Sequence, residues 1–156
     1  MTAASSVPTV ACLFIHPIKS GRAIQTKSAE LDAFGFVGNR RWIVVDEHGT
    51  FLTQRTVRTL SLLDARIATN SRSVSLSAPG NGSLTVESPP DGMAIRRVVV
   101  WNDHVDVVDW GDACAEWLTR LLERPARLVS LAPAYSRPVW QTTFQGKAGR
   151  TPEASP

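Results

Sequence analysis

The sequence predicts a mainly β fold: a barrel-like meander of about eight or nine short strands, with one C-terminal amphipathic helix at about residues 112–124. Three observations carry this expectation. Short segments alternate apolar and polar residues, tight-turn residues separate them, and a single stretch has helical instead of strand periodicity.

Val10–His16 and Trp42–Asp46 are rich in β-branched and apolar residues and, with Lys27–Leu31 between them, read as the first strands. "DEHGT" then turns the chain as a hairpin from Val45 into "FLTQ". Leu63, Ala65 and Ile67 fall on one face, as do Val74, Leu76 and Ala78, then Leu84 and Val86, with "TNSRS" and "PGNGS" as turns. "IRRVVVWNDHVDVVDW" reads as two strands joined at Asn102-Asp103, and Arg127–Leu131 as one more.

In "GDACAEWLTRLLERP", Asp112 is the expected N-cap and Pro125 the stop. Cys114, Trp117, Leu118, Leu121 and Leu122 lie at helical spacing and form the face that packs on the sheet. Trp42, Trp101, Trp110 and Trp117 all fall in core-pattern elements. The final stretch loses periodicity and ends in Gly, Pro, Ser and Thr. The expected organisation is a flexible N-terminus over 1–9, one β domain over 10–135 and a loose tail over 136–156. Within that tail, Trp140 and Phe144 are exposed unless they dock on the barrel or on a partner.

A chain of 156 residues, 43% hydrophobic and 20% charged, suits one domain with one core. Its apolar runs, such as Val10–Ile15 and Val98–Trp101, are far shorter than the roughly 18–20 residues of a membrane span. The N-terminal "MTAASSVPT" has no Lys or Arg ahead of a hydrophobic stretch, so neither a membrane nor a secretory route is expected and cytoplasm is the default. Cys12 and Cys114 read as buried free thiols and not as a disulfide, and two thiols cannot complete a four-ligand zinc site. His48 and His104 sit in or beside turns and are expected to be solvated. His16, at a strand end, reads as a structural hydrogen-bonder.

The net charge of +3 is unevenly placed. From His16 to Arg58 seven basic residues face four acidic ones, whereas from Leu60 onward there are ten of each. That local excess favours a small anionic ligand over a general polyanion surface. Nucleic-acid binding is not expected, because a broad basic stripe interleaved with aromatics is missing.

"LFIHPIKSGRAI" runs from a strand straight into Lys19, Ser20, Gly21 and Arg22. "GFVGNRRWIVVD" repeats the arrangement with Arg40 and Arg41, and "FLTQR" delivers Thr53 and Arg55 at the end of the next strand. If these ends meet on one rim, Lys19 supplies a point charge, Ser20 a hydroxyl, Gly21 a close backbone approach and Arg40 a bidentate fork, a set that suits phosphate. The spacing is not that of a Walker loop. A Schiff base from Lys19 to pyridoxal phosphate would need a pyridinium partner that the sequence does not supply. About half of these charges read as ordinary solvated surface groups.

In their order and spacing, "FIHPIKSGRAI", "AELDAFGFVGNRRWIVVDEHGTFLTQR" and "WLTRLLERPARLV" resemble the N-terminal β-barrel domain of MOSC proteins, over roughly Val10–Tyr135. MOSC proteins are molybdenum-cofactor enzymes such as the mitochondrial amidoxime-reducing component. The resemblance implies that Lys19, Ser20 and Arg40 contact the phosphate-bearing pterin of the molybdenum cofactor; Gly21, Arg22, Arg41, Thr53 and Arg55 are further cofactor-binding candidates from the strand-end pattern alone. It also implies a second domain, the MOSC domain proper, carrying the molybdenum-ligating cysteine. Neither Cys12 nor Cys114 stands in for that residue, so the chain alone is not expected to be catalytic or to hold the cofactor tightly.

The expected partners are a MOSC-domain subunit and a small anion, and the assembled function a molybdenum-dependent reduction. The alternative is a non-catalytic module for a phosphate-bearing small molecule or a protein partner. Asn39 stands where the family often has Asp. It accepts a hydrogen bond but cannot neutralise the neighbouring arginine.

Overall fold

Strand β1 (Leu13–Ile15) leads into the basic loop and returns as β2 (Ile24–Thr26), antiparallel to it. The computed structural model describes residues 8–68, 73–90, 95–101 and 103–132, and the backbone of two further short strands. The small hairpin of β3 (Leu31–Asp32) and β4 (Gly35–Phe36) follows, then β5 (Trp42–Val45). A 3-10 helix, Arg58–Leu62, precedes the antiparallel sheet of β6 (Asp64–Ile67), β7 (Ser73–Ala78) and β8 (Gly82–Glu87). β9 (Ile95–Val100), β10 (Asp103–Asp109), helix α1 (Asp112–Leu122) and β11 (Arg127–Leu131) complete the main body. β12 (Pro138–Gln141) and β13 (Thr151–Ala154) pair with each other inside the stretch expected to lack periodic elements. The rest of that stretch, residues 69–72 of the "TNSRS" turn and Asn102 lie outside the described residues.

The largest sheet runs β5-β11-β10-β9. It is not a simple meander, because β11 returns from the helix to insert between β10 and β5. The segment after β5 then joins the two edges. The Leu52 amide donates to the Val44 carbonyl (2.8 Å) and that of Asp46 to Thr50 (2.9 Å) on one side. On the other side the Val99 amide donates to Gly49 (3.0 Å) and that of Phe51 to Val99 (3.3 Å). Hydrogen bonds therefore run round a barrel-like ring, through isolated bridges at Thr50 and Phe51 instead of a full strand there.

Every residue of β5 is buried, and alternation splits it between two cores. Ile43 and Val45 point into the ring with Val98, Val105, Val107 and Val129. Trp42 and Val44 face the other core with Leu60, Leu63, Val74, Leu76, Trp110 and the apolar face of α1. That face comprises Cys114, Trp117, Leu118, Leu121 and Leu122, as the 3.6-residue spacing predicts. Trp42 and Trp110 meet edge to face at 5.8 Å, a geometry worth about 0.5–1.5 kcal/mol beyond burial.

Several expectations are corrected. Lys27–Leu31 is not one strand. The chain pairs at Ile24–Thr26 and again at Leu31–Asp32, and the Thr26 hydroxyl donates to the Ser28 carbonyl (2.7 Å) to bend the stretch between. Val10–His16 shortens to Leu13–Ile15, which leaves Cys12 ahead of the strand and exposed. Gly111, not Asp112, is the N-cap of α1, because the Asp112 carboxylate turns away to accept from Arg127 Nη2 at 2.8 Å. Glu123 ends the helix in the left-handed conformation, two residues before Pro125. Trp101 is not core: it is 61% exposed. No helix among the described residues is long and apolar enough to cross a membrane.

Candidate functional site

The turn after β1 is locked by its own backbone. The Gly21 amide donates to Ile18 (2.9 Å), the Lys19 amide to Trp42 (2.9 Å) and the Arg22 amide to Leu63 (2.8 Å). The loop carrying Arg40 is tied to the same turn, for the Arg40 amide donates to the His16 carbonyl (2.6 Å) and the His16 amide to Asn39 Oδ1 (2.9 Å). Asn39 thus uses the acceptor it shares with an aspartate to join two loops without adding charge. The third segment docks through Gln54, whose Nε2 donates to the Ser20 carbonyl at 2.9 Å.

These bonds bring Lys19, Ser20 and Arg40 together. Lys19 is half-buried, and its amine is held below the ordinary lysine range, first by loss of water and then by the positive charge of Arg40. Two neighbouring cations repel, and an anion seated between them offsets that repulsion and compensates the lysine for the water it has lost. Among the described residues the arginines in ion pairs with carboxylates are Arg41, Arg66, Arg96, Arg97 and Arg127. Lys19 and Arg40 are in none of those pairs. Ser20 and Arg40 both have positive φ, 65° and 55°, a conformation that non-glycine residues adopt at a cost.

The other candidates separate. Gly21 is buried, wedged against Ile18 and the Leu63 carbonyl, so its missing side chain permits packing. Arg41 turns to the β3–β4 hairpin, where Nη2 donates to Asp32 Oδ1 (2.6 Å) and the guanidinium lies 5.1 Å from the Phe34 ring. Asp32 is held below the usual carboxylate range by the Phe34 amide, a pull that outweighs its desolvation, with Arg41 adding to it. Thr53 sits in a turn, not a strand end, and its carbonyl accepts from the Thr56 and Val57 amides. The side chains of Arg22 and Arg55 are exposed. Reasoning from sequence missed Phe51 and Trp101, which line the Lys19 amine at 3.7 and 4.9 Å from their ring centroids. The available signal was an aromatic residue standing at the hairpin turn after Val100.

Residues that fit a phosphate do not extend to a metal. Cys114 is fully buried, and desolvation chiefly pushes its thiol up to about 11, away from the thiolate a metal needs. Among the described residues no three of His, Cys, Asp and Glu come together as a metal-ligand set.

Comparison with known proteins bears on the domain as a whole. The profile of the MOSC N-terminal beta barrel domain matches residues 7–125. The chain is 32% identical over 133 residues to mitochondrial amidoxime-reducing component 1 of Danio rerio, covering 81% of this chain and 40% of that protein. The Homo sapiens counterpart is 31% identical over 132 residues, with 81% and 39% covered. Molybdenum cofactor sulfurase of Danio rerio is 29% identical over 133 residues, 83% of this chain and 16% of that protein. The chain therefore matches less than half the length of these relatives. A protein of Bordetella bronchiseptica, known from its solution structure, shares the fold. Its TM-score is 0.52 at 22% identity, over 69% of this chain and 91% of that one.

Proposed function

Since this chain belongs to the family of the MOSC N-terminal beta barrel domain, we propose that it holds the anionic, phosphate-bearing end of a molybdenum–pterin cofactor. The bound cofactor supplies two-electron chemistry at the metal, and a MOSC-type domain or subunit supplies the ligating cysteine. This chain binds and orients. Lys19 provides a point charge, Arg40 a planar fork and Ser20 a hydroxyl on a turn that Gln54 and Asn39 hold in place. The observation that carries the reading is the juxtaposition of Lys19 and Arg40 without a carboxylate partner among the described residues, on two loops fastened to each other.

The test is an NMR titration of the isolated chain with inorganic phosphate and pyrophosphate. Amides of 16, 18–22, 38–41 and 50–55 are expected to move selectively, less so as salt rises. Lys19→Ala is expected to weaken binding more than Ser20→Ala, because a charge-assisted contact is worth roughly twice a neutral one. Shifts no larger at these loops than elsewhere would sink the anion site. Stoichiometric molybdenum in chain purified from a cofactor-producing host would sink the division of labour.

A further inference from the structure

We propose that Phe51 and Trp101 are positioning residues of this site, holding the Lys19 ammonium in a corner of two aromatic rings so that it meets an incoming phosphate already oriented and not paired with a carboxylate. The proposal rests on the reading of Lys19 and Arg40 as an anion site. Half-buried arginines elsewhere among the described residues are fixed by carboxylates, as Arg127 is by Asp109 and Arg41 by Asp32. A carboxylate fixes a cation and neutralises it. An aromatic face attracts the cation through its quadrupole, carries no net charge and leaves the N–H groups directed elsewhere. Lys19 has two such faces, with Nζ 3.7 Å from the Phe51 centroid and 4.9 Å from that of Trp101.

The rings form a corner of their own, with centroids 5.0 Å apart and planes tilted by 52°. Backbone bonds keep the corner in shape, because the Phe51 segment is stapled to β9 through Val99 on both its amide and its carbonyl. β9 carries Trp101 at its end.

Trp101 is a costly residue for its position. Val100 pairs with Asp103, so Trp101 lies in a two-residue hairpin turn, where positive φ suits Gly, Asn or Asp. Its φ is 59°. A bulky side chain in that region is strained, and an indole 61% exposed gains little burial in return. What the strained position provides is the ring over Lys19. An unclamped lysine spreads over many rotamers, and ordering it on binding would cost affinity.

The experiment uses the whole chain with 13C-labelled lysine, which gives signals from only Lys19, Lys27 and Lys147. The Lys19 ε-methylene is expected upfield of the other two from ring current, in wild type and in Trp101→Phe, and to move part of the way back in Trp101→Leu, where the Phe51 ring remains. Trp101→Leu is expected to weaken pyrophosphate binding about three- to tenfold, and Trp101→Phe less than about twofold. Phe51→Leu is an independent second variant, and each fold is checked by its amide spectrum.

Three lysine signals at one shift would overturn the clamp. So would wild-type pyrophosphate affinity in both Trp101→Leu and Phe51→Leu while Lys19→Ala loses it. Unchanged binding in Lys19→Ala would instead overturn the anion site, and with it the purpose of the clamp. The ring-current shift would still decide whether the contact exists.

Discussion

Replacing Gly21 with alanine presses directly on the turn that carries Lys19 and Ser20. A Cβ at that position would sit 3.1 Å from Ile18 Cβ, 3.2 Å from the Ile18 carbonyl oxygen and 3.3 Å from that of Leu63. Two of the three neighbours are backbone, and both are already engaged, Ile18 accepting from the Gly21 amide at 2.9 Å and Leu63 from the Arg22 amide at 2.8 Å. Ile18 is 1% exposed and cannot retreat. Relief therefore requires the turn to move by a few tenths of an ångström against its own hydrogen bonds. Overpacking of this kind costs about 1–3 kcal/mol, while the narrower unfolded ensemble of alanine returns about 0.4–1 kcal/mol. A net loss of about 1–2 kcal/mol, with a urea dependence of about 2 kcal/mol per molar, lowers the denaturation midpoint by about 0.5–1 M. The amides of Lys19, Ser20 and Arg22 should shift most. An unchanged or raised midpoint would refute the claim that glycine is required here by close approach.

Asp109→Asn should cost about 2–3 kcal/mol, somewhat below the range for a fully buried pair, because the Asp109 side chain is 8% exposed but that of Arg127 is 27%. Burial pushes the Asp109 carboxyl up, but hydrogen bonds from Arg127 and the Gly111 amide and the charges of Arg127 and Arg96 bring it below its ordinary value. A depressed carboxyl adds stability above its unfolded pKa of about 3.9 and loses it as pH falls through the lower folded value. The wild-type acid limb below about pH 4 should therefore be steeper than that of Asp109→Asn in urea titrations, and equal limbs would rule this out. Asn39→Ala should cost about 1 kcal/mol and expose the His16 amide to exchange, whereas Asn39→Asp keeps the acceptor and the protection. In native protein a thiol reagent should modify Cys12 quickly and reach Cys114 only on unfolding; two fast thiols would contradict the packing of α1.

The strands with a buried face were legible because burial imposes a period. Val74 and Leu76, Val105 and Val107, and the five-residue stripe of α1 could be read directly, since each apolar position answers to a core. Cys12 misled because apolar composition without a partner strand does not make a ladder, whereas Lys27–Glu30, Lys-Ser-Ala-Glu, has no β-branched residue at all; pairing is decided by residues far away in sequence. The insertion of β11 between β10 and β5 is likewise invisible locally: antiparallel alternation is the same for either neighbour. Arg40 and Arg41 show the same limit for the site. They are adjacent and alike in the sequence, yet Asp32 takes Arg41 and leaves Arg40 beside Lys19.

What separates those two arginines is backbone handedness. Four non-glycine described residues have positive φ, and Glu123 is accounted for as the end of a helix. The remaining three are Ser20, Arg40 and Trp101. Arg40 and Ser20 lie on loops fastened to each other through His16 and Asn39, Gln54 ties the Ser20 turn to a third segment, and Trp101 covers the lysine that Ser20 follows. A left-handed residue reverses the chain locally and throws its side chain to the side opposite that expected from strand alternation. That is how Arg40, next to Arg41 and two residues before a fully buried strand, escapes both the core and the Asp32 hairpin. Such conformations cost of order 1–3 kcal/mol each and persist only where the surroundings over-determine them. Here the surroundings are the hydrogen bonds that join the loops, so the same contacts that hold the strain also hold the charges together.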